Sequence, residues 1–236
     1  MVKKINIPLV ILAGGRGSRI SEYTKIIPKP MIKIGRIPII QHIINYYKSF
    51  GVEKIYIASG YKSHIIRKYF HKNKNITVID TGLKTLTGGR IKRLENIIEG
   101  KFFLTYGDGL SNVNLTYLIK SHKKSNKIAT VTAVHPIARF GEIKLKNNLP
   151  ISFNEKPQVK NDWINGGFFI FEQSIFQYLK NDNTVLETSP MHKLVNNNQL
   201  NVYKHQGFWQ CMDTVRDKEL LDKIYKSNFC PWKKKS

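Results

Sequence analysis

Cysteine is scarce in this 236-residue chain, which contains only Cys211 and Cys230. Neither stands in a spacing typical of metal ligands, and two cysteines cannot build the disulfide framework of a small secreted domain. This scarcity argues against a structural zinc site and against a disulfide-dependent fold. The chain is instead long enough to bury a full hydrophobic core, and 41% of its residues are hydrophobic, a share typical of globular proteins.

Long apolar runs are also lacking, because no run approaches the roughly 20 residues that a membrane-spanning helix needs. The first residues, Met1-Val2-Lys3-Lys4, resemble the start of a signal peptide. However, Asn6 and Pro8 interrupt the apolar stretch that would have to follow. We therefore expect a cytoplasmic protein with no membrane association.

Acidic residues are few, since the chain has 16 Asp and Glu against 39 Lys and Arg and a formal net charge of +23. Such an excess favours polyanionic ligands, nucleotides among them. A dedicated nucleic-acid-binding protein would concentrate this charge in a patch and carry a recognisable binding motif. The lysines are instead spread along the chain, so we do not expect a nucleic-acid partner. A polyanion-binding protein on an inactive scaffold stays open as the alternative from a different class.

Several motifs of covalent and metal catalysis are absent from the sequence. There is no Gly-x-Ser-x-Gly turn and no Walker-type lysine loop, and none of the seven histidines stands in a metal-ligand spacing. A reaction between two phosphates fits these absences, because a phosphate monoester is largely dianionic at neutral pH and needs no general base. Catalysis then consists of positioning and of charge neutralisation by Mg²⁺, Arg and Lys.

The strongest positive signal is a glycine-rich turn after a short β-branched run, Leu12-Ala13-Gly14-Gly15-Arg16-Gly17-Ser18-Arg19. Its glycines let the backbone approach a bulky anion such as a triphosphate, and its arginines add fork-shaped donors for phosphate oxygens. An ordinary strand-to-helix turn explains the glycines about equally well. Ten residues after Arg19, Pro28-Lys29-Pro30 holds a lysine between two constrained rings, and this fixed cation favours nucleotide chemistry.

Strands and helices alternate along the chain. The pattern predicts strands at 7–12, 54–58, 76–79, 102–106, 128–134, 142–145, 151–153, 167–171 and 200–204. It predicts helices at 38–50, 63–70, 91–99, 115–123 and 215–226, with short helices after Ser174 and Pro190. Such alternation is typical of a mainly parallel sheet with helices on both faces. The shorter strands of the second half predict a smaller mixed-sheet region within the same domain.

Ligands of such sheets bind beyond the carboxyl ends of the strands, where the glycine turn and Asp108 both fall. Asp108 is either a turn residue or a Mg²⁺ ligand, and Asp213 is either the cap of the last helix or a second ligand. Glu155-Lys156-Pro157 supplies another cation. The segment Asn165-Gly166-Gly167 predicts either a close approach to a polar ligand or a β-bulge.

Together these motifs resemble the sugar-1-phosphate nucleotidyltransferases, and the resemblance extends from Leu12 to Trp232. The general family features are the Gly-Gly-x-Gly-x-Arg loop, the Pro-Lys-Pro lysine, Gly-Asp-Gly, Glu-Lys-Pro and the late aspartate. A cytidylyl-transferring branch is indicated by further segments: Asp80-Thr81-Gly82, Thr87-Gly88-Gly89-Arg90, Thr105-Tyr106-Gly107-Asp108-Gly109, Arg139-Phe140-Gly141, Asn165-Gly166-Gly167-Phe168-Phe169 and Phe208-Trp209-Gln210.

The resemblance implies a Rossmann-like (GT-A-like) α/β fold, in which about 1–127 binds the nucleotide and about 128–236 binds the sugar phosphate. It implies Mg²⁺-dependent transfer of a cytidylyl group from CTP to α-D-glucose 1-phosphate, giving CDP-glucose for the deoxysugars of surface polysaccharides such as O-antigen. The implied nucleotide-binding residues are Leu12, Ala13, Gly14, Gly15, Gly17, Ser18, Arg19, Lys29, Thr85, Gly89, Arg90 and Gly107. The implied sugar-phosphate residues are Gly141, Glu155, Lys156 and Asn165. Arg19, Lys29 and Asp108 would be catalytic, and Asp108 and Asp213 would bind Mg²⁺.

The chain departs from the family pattern at two places. Between Lys74 and Ile76 it lacks a stretch of about twenty residues that the enterobacterial-type enzymes carry. Ile27 stands where the family often has a further lysine. The missing stretch leaves the sugar and the subunit number open, although we expect a homo-oligomer. The nearest alternative is the same chemistry with another nucleoside triphosphate or another phosphorylated acceptor.

Overall fold

The computed structural model describes residues 4–136, 141–154, 162–227 and 229–233. The strands are β1 (Leu9–Ala13), β2 (Lys33–Ile34), β3 (Ile37–Pro38), β4 (Ile55–Ser59), β5 (Ile76–Asp80), β6 (Phe102–Tyr106), β7 (Gly109–Ser111), β8 (Ala129–Val134), β9 (Glu142–Lys146), β10 (Leu149–Asn154), β11 (Ile164–Phe171), β12 (Leu200–His205) and β13 (Trp209–Cys211). The helices are α1 (Ser21–Thr24), α2 (Ile39–Lys48), α3 (Ser63–Phe70), α4 (Thr87–Lys92), α5 (Leu115–Ser125), α6 (Ser189–Asn196) and α7 (Val215–Lys226). Short 3₁₀ turns cover Ser18–Ile20, Lys29–Met31 and Gln173–Tyr178.

Seven strands form the central sheet in the order β12-β8-β11-β6-β1-β4-β5. Strand β11 is antiparallel to both β6 and β8, and the other neighbouring pairs are parallel. The predicted mainly parallel α/β sheet is therefore confirmed. Strands β1 and β4 are buried along their whole length because both faces of the sheet are covered.

Side chains of β1 alternate between two hydrophobic layers. Leu9 and Ile11 pack with residues of α2, α5 and α7 on one face, whereas Val10 and Leu12 pack with residues of α4 and α6 on the other. Burial of a side chain of this size contributes about 1.5–3 kcal/mol to stability. Within the part of the chain that the structure describes, no helix is both long enough and apolar enough to cross a membrane.

The carboxyl ends of the parallel strands meet along one edge of the sheet. Strand β1 ends there at Ala13, β4 at Ser59, β5 at Asp80 and β6 at Tyr106. Because β11 runs the opposite way, its amino end with Asn165 reaches the same edge. This edge is where ligands of such sheets bind.

The strands of the second half are continuous with those of the first half. The apolar segment Phe168–Phe171 of β11 pairs with Phe102–Thr105 of β6, which joins β8, β11 and β12 to the central sheet. Of the short strands from which a mixed-sheet region was predicted, only β11 lies in the central sheet, where it is antiparallel to both neighbours. Strands β9 and β10 form a separate two-stranded sheet.

Neither strand of the β7–β13 pair was predicted from the sequence, nor were those of the β2–β3 pair. Strands β7 and β13 are antiparallel, with Cys211 opposite Gly109. Each has three residues, which is too short for an alternating pattern to be recognised in the sequence. This pairing brings Asp108, just before β7, close to Asp213, just after β13.

We expect three buried histidines to make the stability of the fold depend on pH. Burial lowers the pKa of His42, His122 and His205, so each binds a proton more readily after unfolding. Both ring nitrogens of His42 are already bonded, because Nε2 donates to the Ile34 carbonyl oxygen (2.9 Å) and Nδ1 accepts from Trp232 Nε1 (3.3 Å). We expect the free energy of unfolding to fall as the pH drops below 6.5, the ordinary histidine value. Urea denaturation at about pH 7.5 and about pH 5.5, where most carboxylates stay ionised, measures this change.

Substitution separates the histidine contribution from other effects of acid. His42→Gln should reduce the difference in stability between the two pH values, whereas His64→Gln, on the exposed side of α3, should not. Equal stability of the wild-type protein at both pH values would contradict the assignment of these histidines as buried and neutral.

Candidate active site

The loop after β1 contains three glycines, and the chain itself explains only two of them. Gly17 has a φ of 64°, in the left-handed region that glycine adopts without strain. A Cβ at Gly14 would lie 2.1 Å from the guanidinium carbon of Arg90. A Cβ at Gly15 would meet nothing within 4 Å, and this residue is exposed. The backbone at Gly15 is therefore open to a ligand.

Four of the predicted site residues form one charged cluster beside this loop. Lys29 Nζ donates to Asp108 Oδ2 and to Asp213 Oδ1, each at 2.6 Å. Arg19 Nη1 donates to Asp213 Oδ2 at 2.7 Å. The stem of Lys29 passes along the loop, since a Cβ at Gly17 would lie 3.0 Å from Lys29 Cβ. The structure thus places two cations and two carboxylates together at the carboxyl edge of the sheet.

The β7–β13 pairing brings the two aspartates together. The Met212 N–H donates to the Asp108 carbonyl oxygen at 2.9 Å, which places residue 213 next to residue 108. The cap of α7 is Thr214, whose hydroxyl accepts from the Asp217 N–H at 3.3 Å, while Asp217 accepts from the Thr214 N–H at 2.8 Å. Thr214, and not Asp213, is therefore the N-cap of α7, and the Asp213 carboxylate faces the cluster.

The charges of the cluster determine which groups can react. Burial lowers the pKa of Lys29, but the carboxylates of Asp108 and Asp213 outweigh it and leave that pKa raised above 10.5. Lys29 is therefore cationic at neutral pH. Burial, together with the charges of Asp213 and Asp108, raises the pKa of the nearby Cys211 thiol to about 12. With that pKa, the Cys211 thiol keeps its proton at neutral pH.

The two aspartates fit a Mg²⁺ site that is completed by a substrate. Their oxygens converge on one cationic atom, Lys29 Nζ, so the space between them accommodates a positive charge. Mg²⁺ usually takes one or two carboxylates together with phosphate oxygens and water. The described residues contain no group of three or more His, Cys, Asp or Glu side chains that could hold a metal alone. Asp108 and Asp213 could hold Mg²⁺ together with the phosphates of a nucleotide.

Arg90, expected at the nucleotide, is only 5% exposed and is buried against the glycine loop. Its Nη1 donates to the carbonyl oxygens of Ser59 and Gly82 and to Thr81 Oγ1, at 2.7–3.0 Å. Its Nη2 donates to the Gly14 carbonyl oxygen at 3.0 Å. Arg90 therefore joins the carboxyl ends of β1, β4 and β5.

Other predicted nucleotide residues line the same edge. Leu12 and Ala13 end β1, and Ser18 begins the 3₁₀ turn after the loop. The Gly107 N–H donates to the Leu12 carbonyl oxygen at 2.9 Å, and a Cβ at Gly107 would lie 3.0 Å from that oxygen. The close approach of β6 to β1 therefore favours glycine at position 107.

The segment before and within α4 packs tightly against a later part of the chain. Thr85 is buried, and a Cβ at Gly89 would lie 2.5 Å from the Asp182 carbonyl oxygen. This close contact is a packing reason for Gly89. Contact of these two residues with a nucleotide stays a prediction.

The predicted sugar-phosphate residues are described only in part. Asn165 is exposed at the amino end of β11, and Gly141 comes directly before β9. Glu155 and Lys156 lie outside the described residues. The roles of all four stay predictions.

Sequence reasoning missed Glu187, which lies at this edge. Its carboxylate accepts hydrogen bonds from the Tyr106 hydroxyl and from Thr87 Oγ1, the latter at 2.6 Å. The scarcity of acidic residues, 16 in the whole chain, is the sequence signal that could have pointed to it.

A family model described as nucleotidyl transferase matches residues 9–217. The chain therefore belongs to the nucleotidyl transferase family and is an enzyme of that type. The match confirms the family predicted from the motifs.

Two curated relatives are similar over nearly the whole chain. The glucose-1-phosphate cytidylyltransferases of Salmonella typhimurium and Salmonella typhi are each 38% identical over 251 residues, covering 95% of this chain and 98% of theirs. Among solved structures, HddC from Yersinia pseudotuberculosis complexed with GMP-PN has a TM-score of 0.74 and 23% identity, covering 93% of this chain and 100% of that one. This last likeness shows the fold.

Proposed function

We propose that this enzyme transfers the cytidylyl group of CTP to glucose 1-phosphate, giving CDP-glucose and pyrophosphate. The relatives that match it over nearly their full length support this pair of substrates. The observation that carries the chemistry is the cluster of Lys29, Asp108, Asp213 and Arg19 beside the open glycine loop.

In the proposed reaction, a phosphate oxygen of glucose 1-phosphate attacks the α-phosphorus of CTP. A new phosphorus–oxygen bond forms while the bond from the α-phosphorus to the bridging oxygen breaks, and pyrophosphate leaves with that electron pair. The attacking monoester has a second pKa near 6, so at neutral pH no side chain has to remove a proton from it.

The residues of the cluster bind and neutralise the reacting phosphates. The backbone at Gly15 would receive the triphosphate, and Arg19 and Lys29 would neutralise its charge. Lys29 holds both carboxylates before substrate binds and can exchange them for phosphate oxygens. Asp108 and Asp213 would hold Mg²⁺, which supplies further neutralisation of phosphate charge when bound. The Mg²⁺ requirement, the homo-oligomer, the cytoplasmic location and the deoxysugar pathway stay predictions.

Pyrophosphate release tests the proposal. The purified protein is assayed with CTP, UTP, dTTP or ATP and glucose 1-phosphate, with Mg²⁺ or with a chelator. We expect release with CTP and Mg²⁺, and none with the chelator.

The other outcomes separate the parts of the proposal. Release with a different nucleotide alone would contradict the base assignment and keep the reaction class. Undiminished release with the chelator would contradict the Mg²⁺ requirement. If no pyrophosphate is released with any of the four nucleotides, glucose 1-phosphate is not the acceptor. A screen of other phosphorylated acceptors with CTP would follow.

A further inference from the structure

Residues 181–187 are docked against the start of α4. The Gly89 N–H donates to the Thr184 carbonyl oxygen at 3.1 Å. A Cβ at Gly88 would lie 2.9 Å from that same oxygen, so glycine permits the close approach. This docking holds the last residue of the segment, Glu187, at a defined position.

The Glu187 carboxylate accepts from two hydroxyl groups. Its Oε2 accepts from Thr87 Oγ1 at 2.6 Å, and Thr87 Oγ1 accepts in turn from the Leu186 N–H at 2.9 Å. Its Oε1 accepts from the Tyr106 hydroxyl. A carboxylate suits both contacts because each of its oxygens is an acceptor, whereas a glutamine would present a donor to one hydroxyl.

Tyr106 connects Glu187 to the acceptor side. It is the last residue of β6, and its hydroxyl accepts from Asn165 Nδ2 at 3.3 Å. Its ring packs over Gly167, where a Cβ would lie 2.4 Å from a ring carbon. Burial and the charge of Glu187 raise the pKa of Tyr106, so the hydroxyl keeps its proton and donates it to Glu187.

Both polar atoms of the Asn165 side-chain amide are hydrogen-bonded. Its Oδ1 accepts from the Gly167 N–H at 2.8 Å, and its Nδ2 donates to the Tyr106 hydroxyl. An amide nitrogen carries two hydrogens, and Asn165 is exposed. The second hydrogen is therefore available to an oxygen of a ligand at this edge of the sheet.

We propose that Glu187 is a positioning residue for the acceptor sugar phosphate, acting through the Tyr106 hydroxyl on the amide of Asn165. Its second contact, to Thr87, ties this amide to the start of α4, the helix that carries the predicted nucleotide-binding residues Gly89 and Arg90. Glu187 itself does not touch the acceptor. This inference rests on the proposed function and adds a residue to it.

Glu187→Gln should raise the KM for glucose 1-phosphate about five- to tenfold and leave the KM for CTP within about twofold. The glutamine keeps the shape of the side chain but turns one acceptor into a donor, which reorients the Tyr106 hydroxyl and frees the Asn165 amide. Tyr106→Phe should produce the same split. Both constants are measured by pyrophosphate release with the other substrate saturating.

A double-variant cycle separates positioning from general destabilisation. The double variant combines Glu187→Gln with Tyr106→Phe. If Glu187 acts through Tyr106, the KM of the double variant for glucose 1-phosphate should not exceed that of the single variant with the higher KM. Tyr178→Phe is the matched control, because the Tyr178 hydroxyl also accepts from an amide, Asn197 Nδ2, at 3.3 Å, but outside the site. We expect this control to keep both KM values.

Three other results would contradict the inference. An active wild-type enzyme whose Glu187→Gln variant keeps the wild-type acceptor KM would overturn the inference and leave the proposed function standing. If Glu187→Gln changes only the KM for CTP and the preference for CTP over UTP, the inference is overturned, and Glu187 acts in recognition of the base. A wild-type protein without activity toward the proposed pair would overturn both.

Discussion

Asp108→Asn is expected to lower kcat for pyrophosphate release by about 1,000-fold while the protein stays folded. The substitution removes one of the two carboxylates that converge on Lys29 and leaves a single negative charge at the predicted Mg²⁺ site. Asp213 still accepts from Lys29, so the ammonium keeps a charged partner. We therefore expect the free energy of unfolding to fall by less than about 2 kcal/mol. Steady-state assays and urea denaturation of the same preparations measure the two effects.

Asp222→Asn is the matched control for this substitution. Asp222 pairs with Lys218 at 2.6 Å, as Asp108 does with Lys29. The side chains of the two aspartates are similarly exposed, 22% for Asp222 and 26% for Asp108, but Asp222 lies on α7 and outside the cluster. The control should keep the wild-type kcat. An Asp108→Asn enzyme with more than about a tenth of the wild-type kcat would show that Asp108 is not needed for catalysis. Tight, salt-sensitive binding of DNA or RNA that survives the substitution, in a protein without turnover, would favour the polyanion-binding alternative.

The central sheet could be predicted because each of its longer elements carries its signal in its own residues. Helices α3 and α7 have the predicted limits, 63–70 and 215–226, since their apolar periodicity and their ends are local features. Strand β1 was expected at 7–12 and is Leu9–Ala13, an error of the size usual for element ends.

The position of the site could also be predicted, but its contacts could not. Parallel strands share one carboxyl edge, so the glycine loop after β1 and Asp108 after β6 were expected there. Lys29 contacts Asp108, which lies 79 positions later in the chain, and Asp213, which lies 184 positions later. No local pattern specifies which carboxylate a lysine will contact at such separations.

Glu187 and the β7–β13 pairing were missed for the same reason. Glu187 bonds to Thr87 across 100 positions, and two three-residue strands give no periodic signal. The role of Arg90 could not be predicted either, because arginine is seldom buried without a charged partner and its burial depends on three strand ends meeting.

Arg90→Met is expected to lower the free energy of unfolding by about 3 kcal/mol. Methionine replaces the apolar stem of the side chain but none of the hydrogen bonds to the oxygens of Gly14, Ser59, Thr81 and Gly82. The Gly14 contact belongs to the glycine loop, so the KM for CTP should rise as well. Urea denaturation and pyrophosphate release measure the two effects. If Arg90 only contacted the nucleotide, Arg90→Met would raise the KM for CTP and leave the free energy of unfolding unchanged.

Two further variants show why position 90 requires an arginine. Arg90→Lys keeps the positive charge but loses the planar fork, and one ammonium cannot reach acceptors on three strand ends, so most of the destabilisation should persist. Arg93→Met is the matched control, since Arg93 is 45% exposed and pairs with Asp182 at the surface, where water screens the ion pair and its loss should change the stability little. Full stability of the lysine variant would mean that charge at position 90 is sufficient. Persistent instability would mean that the planar guanidinium of Arg90 is needed to hold the glycine loop to the ends of β4 and β5.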